Sequence, residues 1–275
     1  MKKLPVVLLL LFFYKANSQY YYKDIIAAND IMRQMKTYTD NSIRKVTGAG
    51  ITPDAGPSSD FSEVYDVTGT MLKITTRVNK TTSVLRHTFN EKGQLMSTVD
   101  SSAGVRSVSS YTYDQNGKIS SISNTATDAD SSAAFSQVET HQFFYKDGHL
   151  EKMFRIINKT DSLEVRFVSD KDGNIIEEWN VKHGVFSDAI QYYYDDRHRL
   201  TDIVRFNHKA NRLLPDFLFE YDDSDRVIQK ISTSGGLKGS LLIWRYVFNE
   251  KGLKTKEALF DKDKQLKGRI DYSFN

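Results

Sequence analysis

Ahead of each of a series of turn-forming clusters, large apolar and polar residues alternate with a period of two. Tyr192 and Tyr194 stand against Gln191 and Tyr193, and Phe217, Phe219 and Tyr221 against Leu218 and Glu220. Period two is the strand period, so each segment predicts a strand with one aromatic face. After each cluster an aliphatic residue holds a fixed place: Leu95, Ile119, Leu150, Ile175, Leu200 and Val227. Continued alternation puts Trp179, Val204 and Ile231, four residues further on, on that same face, with Lys73, Lys152, Glu177, Asp202 and Lys256 set between the apolar positions. Arg155, Glu178, Arg205 and Lys230 then fall on an opposite, wet face. Upstream the period changes. Ile25, Ala28, Met32, Met35, Ile43 and Val46 approximate one face of a helix, which predicts an N-terminal helical segment over 19–47. Residues 48–60, GAGITPDAGPSSD, carry prolines and glycines without periodicity and are expected to be a linker.

The turn clusters are copies of one motif: an aromatic, Asp or Asn, two free positions, Gly, one position and the aliphatic. The clearest are Phe89, Asn90, Gly93 and Leu95, and Tyr113, Asp114, Gly117 and Ile119. The glycine place recurs at 69, 93, 117, 148, 173, 198, 225 and 252, in steps of 24 to 31 residues, with His198 and Asp225 standing where Gly is missing and a half-length step reaching Lys264. An Asp or Asn that bonds backbone two residues on, followed by a residue in the left-handed region, closes a hairpin. At Asp147 and Gly148 the motif is one residue shorter, which fits a two-residue turn. A period of this length predicts a repeat architecture whose units need their neighbours. The expected fold is therefore all-β: about eight hairpin repeats over 61–275, some sixteen antiparallel strands in a meander that curls or spirals to cover its aromatic face, with one N-terminal α-helix.

This pattern resembles the YD-repeat (RHS-like) family, built around Tyr-Asp, Gly and an aliphatic two residues on. The Tyr-Asp pairs stand at Tyr65, Tyr113, Tyr194 and Tyr221, with Phe-Asn at Phe89 and Phe248. The resemblance covers roughly Phe61 to Asn275. It implies a spiralling β strip as architecture and names no activity; large members enclose toxin domains, and no separate C-terminal toxin domain follows here.

Composition changes the picture in three ways. Lys2 and Lys3, the apolar run Leu4 to Phe13, and Ala16 to Ser18 read as a signal peptide over 1–18 with cleavage before Gln19, which predicts export to the periplasm, the cell surface or beyond. Its removal takes away Lys2, Lys3 and Lys15, so the 38 Lys and Arg fall level with the 35 Asp and Glu and the electrostatic case for a nucleic-acid partner disappears. There is no cysteine, hence no disulfide, thiol chemistry or lipidated cysteine. No downstream run is long and apolar enough for a transmembrane helix.

The search for chemistry returns little. The six histidines show no metal-ligand spacing; His87 and His141 fall on the aromatic face and His198 in a turn. The acidic run at Asp170 and Asp172 lacks the glycine an EF-hand loop needs, and Asp222, Asp223 and Asp225 read as a solvated hairpin tip. Residues 234–240 form a glycine-rich loop without phosphate-binding spacing, and Glu177 and Glu178, adjacent in a strand, point to opposite faces. No catalytic, cofactor or metal residue is assigned. Tyr111, Tyr113, Tyr192, Tyr194, Trp244 and Tyr246 make a sugar-stacking platform only if their face is open, and are read first as core. The leading functional expectation is a non-enzymatic exported scaffold that binds an unidentified protein or cell-envelope component and needs no cofactor. An outer-membrane β-barrel and a carbohydrate-binding or carbohydrate-active protein are the alternatives.

Overall fold

The computed structural model describes residues 20–52, 56–102, 104–128, 136–233 and 241–275; the expected signal peptide and the loop 234–240 lie outside them. Helix α1 (Tyr22–Asp40) is followed by β1 (Lys45–Thr52), β2 (Gly56–Thr68), β3 (Met71–Val78), β4 (Thr81–Phe89), β5 (Leu95–Ser102) and β6 (Val105–Tyr113). Then come β7 (Ile119–Asp128), β8 (Ser136–Lys146), β9 (His149–Ile157), β10 (Asp161–Ser169), β11 (Ile175–Lys182), β12 (Val185–Phe186) and β13 (Ile190–Tyr194). The chain ends with β14 (Leu200–Asn207), β15 (Arg212–Tyr221), β16 (Val227–Thr233), β17 (Leu241–Phe248), β18 (Lys254–Phe260) and β19 (Leu266–Phe274).

Each strand pairs antiparallel with its sequence neighbour, as a meander requires, but the sheet does not stay open. β1 pairs with β2 on one side and with β19 on the other, Val46 lying opposite both Tyr65 and Phe274. Two-residue β12 and β13 pair in succession with β11, as two pieces of one interrupted strand. The result is a closed antiparallel barrel of eighteen strands, in place of the expected curled or spiralling sheet of about sixteen. The closing strand comes from the segment expected to be part helix, part linker: the helix stops at Asp40, Val46 is in β1, and residues 48–52 and 56–60 are strand. Gly48 and Gly50 make the seam possible. A Cβ on Gly50 would lie 2.8 Å from the Phe61 ring, and one on Gly48 3.0 Å from Tyr272, so the glycines let large neighbours close over β1. Closure removes both sheet edges. Among the functional alternatives this architecture supports the barrel better than the open scaffold.

The turns form where the repeat places them. All nine ruler positions have positive φ, including His198 (59°), Asp225 (61°) and Lys264 (59°), and Asp147 and Gly148 make a two-residue turn between Lys146 and His149. In the fuller copies the Asp or Asn Oδ1 accepts two backbone N–H groups, as Asp195 does from Arg197 and Arg199.

Just past the turn a second feature sets the direction of every later side chain. Tyr194 pairs with Leu200 but Tyr193 with Asp202, skipping Thr201; Ser169 pairs with Ile175 but Val168 with Glu177, skipping Ile176. The same bulge follows the turns at Gly93, Gly117, Gly148, Asp225, Gly252 and Lys264. One extra residue exchanges the faces of all that follow. Arg155, Glu178, Arg205 and Lys230, expected on a wet outer face, point inward. Trp179, Val204 and Ile231, expected inside, point outward with Lys152, Glu177, Asp202 and Lys256; Lys73, opposite Asp66 and Arg86, is also on the outer wall.

α1 packs one face on an apolar cluster of the inner wall, while its Arg33 and Lys36 face outward from the barrel. Its rings and those beside it touch strands around the ring: Tyr20 meets Phe217, Tyr22 meets Phe167 and Tyr192, and Tyr38 meets Tyr65, all with centroids 5.5 to 6.5 Å apart. Leu72, Leu95, Met153 and Val165 are fully buried around it, each worth roughly 1.5–3 kcal/mol against exposure. The helix crosses the end of the barrel where the repeat turns lie, and Asn41 donates to the carbonyl of Lys251 in one of those turns.

Candidate functional site

The interior contains two sites where polar groups meet α1. The first fastens the N-terminal end of the helix. Glu178, 1% exposed, accepts the backbone N–H groups of Tyr21 (2.8 Å) and Tyr22 (3.0 Å) and the hydroxyl of Tyr192 (2.7 Å). These N–H groups have no partner within the helix, and the helix dipole favours negative charge there. Burial nonetheless dominates and pushes the Glu178 carboxyl up to about 7.

One turn along, His141 is held between two carboxylates, its Nδ1 2.7 Å from Asp24 of the helix and its Nε2 2.8 Å from Glu139, which also takes a hydrogen bond from Arg155 at 2.7 Å. Burial opposes charge on the imidazole, but the hydrogen bonds it donates to Asp24 and Glu139 outweigh this and raise His141 to about 9. Burial likewise opposes charge on Glu139, and its bonds to His141 and Arg155 bring it down to about 2. Charged on both sides, the chain Asp24, His141, Glu139 and Arg155 ties helix to wall. By contrast His87, bonded to Thr98 alone, is held by burial at about 4 and is neutral.

The second site is a cavity of about 290 Å³ between α1 and the turn end of the barrel. Ile119, Leu150 and Ile175, the aliphatics of three successive repeats, form its floor. Tyr22, Tyr113, Tyr145 and Met32 stand around it, with Asn29, Lys118 and His149 at the rim. Two of the rings are fixed: the Tyr113 hydroxyl donates to the carbonyl of Leu95 at 2.8 Å and that of Tyr145 to Ile119 at 2.9 Å.

The six aromatics proposed as a platform all face the interior, and no open platform forms. Tyr113 alone of the six lines the cavity. Tyr192 bonds Glu178, Tyr194 bonds the carbonyl of Ile175, and Lys230 and Lys254 lie over Trp244 and Tyr246. Glu178, Asp24 and His141 as a unit, and Lys118 and His149 as a rim, are absent from the sequence reading. The bulge hid Glu178 by exchanging faces, and the pairing of Asp24 with His141 joins residues 117 positions apart. Glu177 and Glu178 do point to opposite faces, and among the described residues no group of three or more His, Asp or Glu could hold a metal ion.

The outer wall mixes polar side chains with apolar ones such as Val204, Leu218, Ile231 and Ile243. Hydroxyls pair across it at Thr88 and Ser97 (2.6 Å) and at Ser123 and Thr140 (3.1 Å), and ion pairs join Arg166 to Glu164 and Arg269 to Asp271. Phe144 and Phe154 meet there with Lys152 over both rings, and Trp179 meets Phe186. No helix among the described residues is long and apolar enough to cross a membrane, which says nothing of strands.

No known protein family matches the chain, and no curated protein does. Solved structures with a similar course of strands include a porin-like protein of Bacteroides uniformis, 8% identical over 85% of this chain and 98% of that one, with a TM-score of 0.44. A porin-like protein of Bacteroides vulgatus is 12% identical over 74% and 97%, with a TM-score of 0.35. A Tc holotoxin pore of Photorhabdus luminescens is 10% identical over 87% of this chain and 17% of that one, with a TM-score of 0.31. At TM-scores below 0.5 none of these likenesses bears on what this chain does.

Proposed function

We propose that the chain is an exported β-barrel of the cell envelope that works closed, as a non-enzymatic binding body, and not as an open pore. The observation that carries this is the helix: it lies across the turn end of a closed wall with Arg33 and Lys36 on its open face, and Glu178, Asp24 and His141 hold its first turn there. A conducting barrel has a polar, water-filled interior, whereas beneath the helix this interior is a packed cluster of Leu, Ile, Val and Tyr, with ion pairs such as Arg155 with Glu139 and Arg205 with Asp216 on its inward face.

The outer wall supports a barrel that faces water. A lipid-facing band is apolar for about 25 Å of height, and a Lys or Arg at its midplane costs about 2–4 kcal/mol. Here Lys73, Lys152, Arg166, Arg245 and Lys256 stand outside on strands from across the sheet. Insertion in the outer membrane is the second reading, favoured by the closed antiparallel wall itself. Expression of the full precursor, fractionation without detergent and planar-bilayer recording separate the two. The first predicts a soluble β-rich monomer and no conductance; a heat-modifiable protein released only by detergent, opening steady channels, would establish the second and refute the first.

A further inference from the structure

We propose that the cavity beneath α1 binds a small amphiphilic anion: a flat apolar body of about two fused rings carrying one carboxylate, sulfonate or phosphate. This rests on the reading of the barrel as a binding body and goes further by naming the chemistry of what is bound.

Size comes first. An apolar cavity of about 150 Å³ holds benzene, and this one, at about 290 Å³, takes roughly twice that. Its walls suit a flat body. The hydroxyls of Tyr113 and Tyr145 are tied to carbonyls of the preceding repeats, so both rings are set before a ligand arrives. Met32 across from them is unbranched and adapts to irregular contours.

The head group follows from the rim. Lys118 Nζ lies 5.1 Å above the Tyr145 ring and donates to the carbonyl of Gly148. An ammonium has three donors, so it can keep that bond and still donate to a ligand oxygen. His149 sits over Gly173, where a Cβ would lie 2.8 Å from the imidazole; glycine at that turn leaves room for the ring to reach the rim. No Asp or Glu lines the cavity. The Lys118 ammonium above aromatic and aliphatic walls, with the His149 ring beside it, selects an anion whose body goes inward and whose charge stays at the rim, in a charge-assisted hydrogen bond.

The test is calorimetric titration of the full mature protein with 2-naphthoate, and with 2-naphthamide as a neutral molecule of the same shape. Saturable binding of naphthoate is expected, with the amide at least tenfold weaker. Lys118→Met should weaken naphthoate tenfold or more and leave the amide unchanged. Met32→Trp should abolish both while circular dichroism and melting stay as in the unsubstituted protein. No saturable binding of naphthoate at millimolar concentration, or equal affinity in the unsubstituted protein and Lys118→Met, overturns the proposal. Either result leaves a soluble, non-conducting barrel intact, so this site and the barrel reading fail separately.

Discussion

The repeat's tyrosine is more than an aromatic core residue. Tyr113, Tyr145, Tyr194 and Tyr221 each donate their hydroxyl to the carbonyl of the aliphatic one repeat back: Leu95, Ile119, Ile175 and Leu200. That aliphatic opens the bulge, and the tyrosine satisfies its carbonyl while locking adjacent hairpins together. Phe89 and Phe248 hold the same place without the bond. Tyr194→Phe should therefore cost about 1 kcal/mol of unfolding free energy in urea titration, whereas Phe248→Tyr should cost nothing comparable. Gly173, at φ 88° with His149 against it, is a second test. Gly173→Ala is expected to destabilise by roughly 1–2 kcal/mol; an unchanged denaturation midpoint would show that the turn tolerates a side chain there. At this scale the sequence was readable: the Asp or Asn, the left-handed position and the aromatic that make a hairpin are local, and each turned out as its chemistry required.

At the scale of elements the helix carries most of the new information. Its existence was legible from apolar spacing, but the spacing ran on through Ile43, in the connection after the helix, and Val46, in the closing strand. Which strand faces it receives was not legible, because a bulge adds a residue without changing composition. The pH behaviour of its attachment follows from the buried groups. His141 is raised from 6.5 to about 9, so its ion pairs contribute stability that is complete below pH 6.5 and lost as pH rises through 9. Glu178, raised from 4.5 to about 7, acts in the same direction, complete below 4.5 and lost as pH rises through 7. Glu139, lowered to about 2, acts oppositely: its contribution is present above 4.5 and lost as pH falls through 2. The melting temperature should thus decline between pH 5 and 9. His141→Phe should flatten the part above 6.5, which amounts to at most about 3 kcal/mol at 1.36 kcal/mol per pH unit. A profile that rises over this range would contradict the assignment of charge to His141.

For the whole molecule, closure decides what the faces mean. An aromatic face this large needs covering, and that much could be reasoned from the repeats; a curled sheet was one solution, and a barrel capped by its own helix is the one adopted. The closing strand was hidden because Gly48, Gly50 and the prolines at 53 and 57 read as loop, whereas the two glycines serve close packing against Tyr272 and Phe61. Closure puts Lys152, Arg166 and the hydroxyl rows outside and, beneath the helix, packs leucine and tyrosine inside, where a water-filled barrel in lipid is open. The absence of cysteine makes that arrangement directly measurable. Single cysteines placed at Thr75, Ser123 and Gln191 on the outer wall, and at Ile122 and Ile203 on the inner, can be exposed to a water-soluble maleimide in intact cell-envelope preparations. Rapid labelling of the outer three with protection of the inner two is the predicted result; protection of the outer positions with labelling of the inner ones would mean a lipid-embedded barrel with a watery lumen.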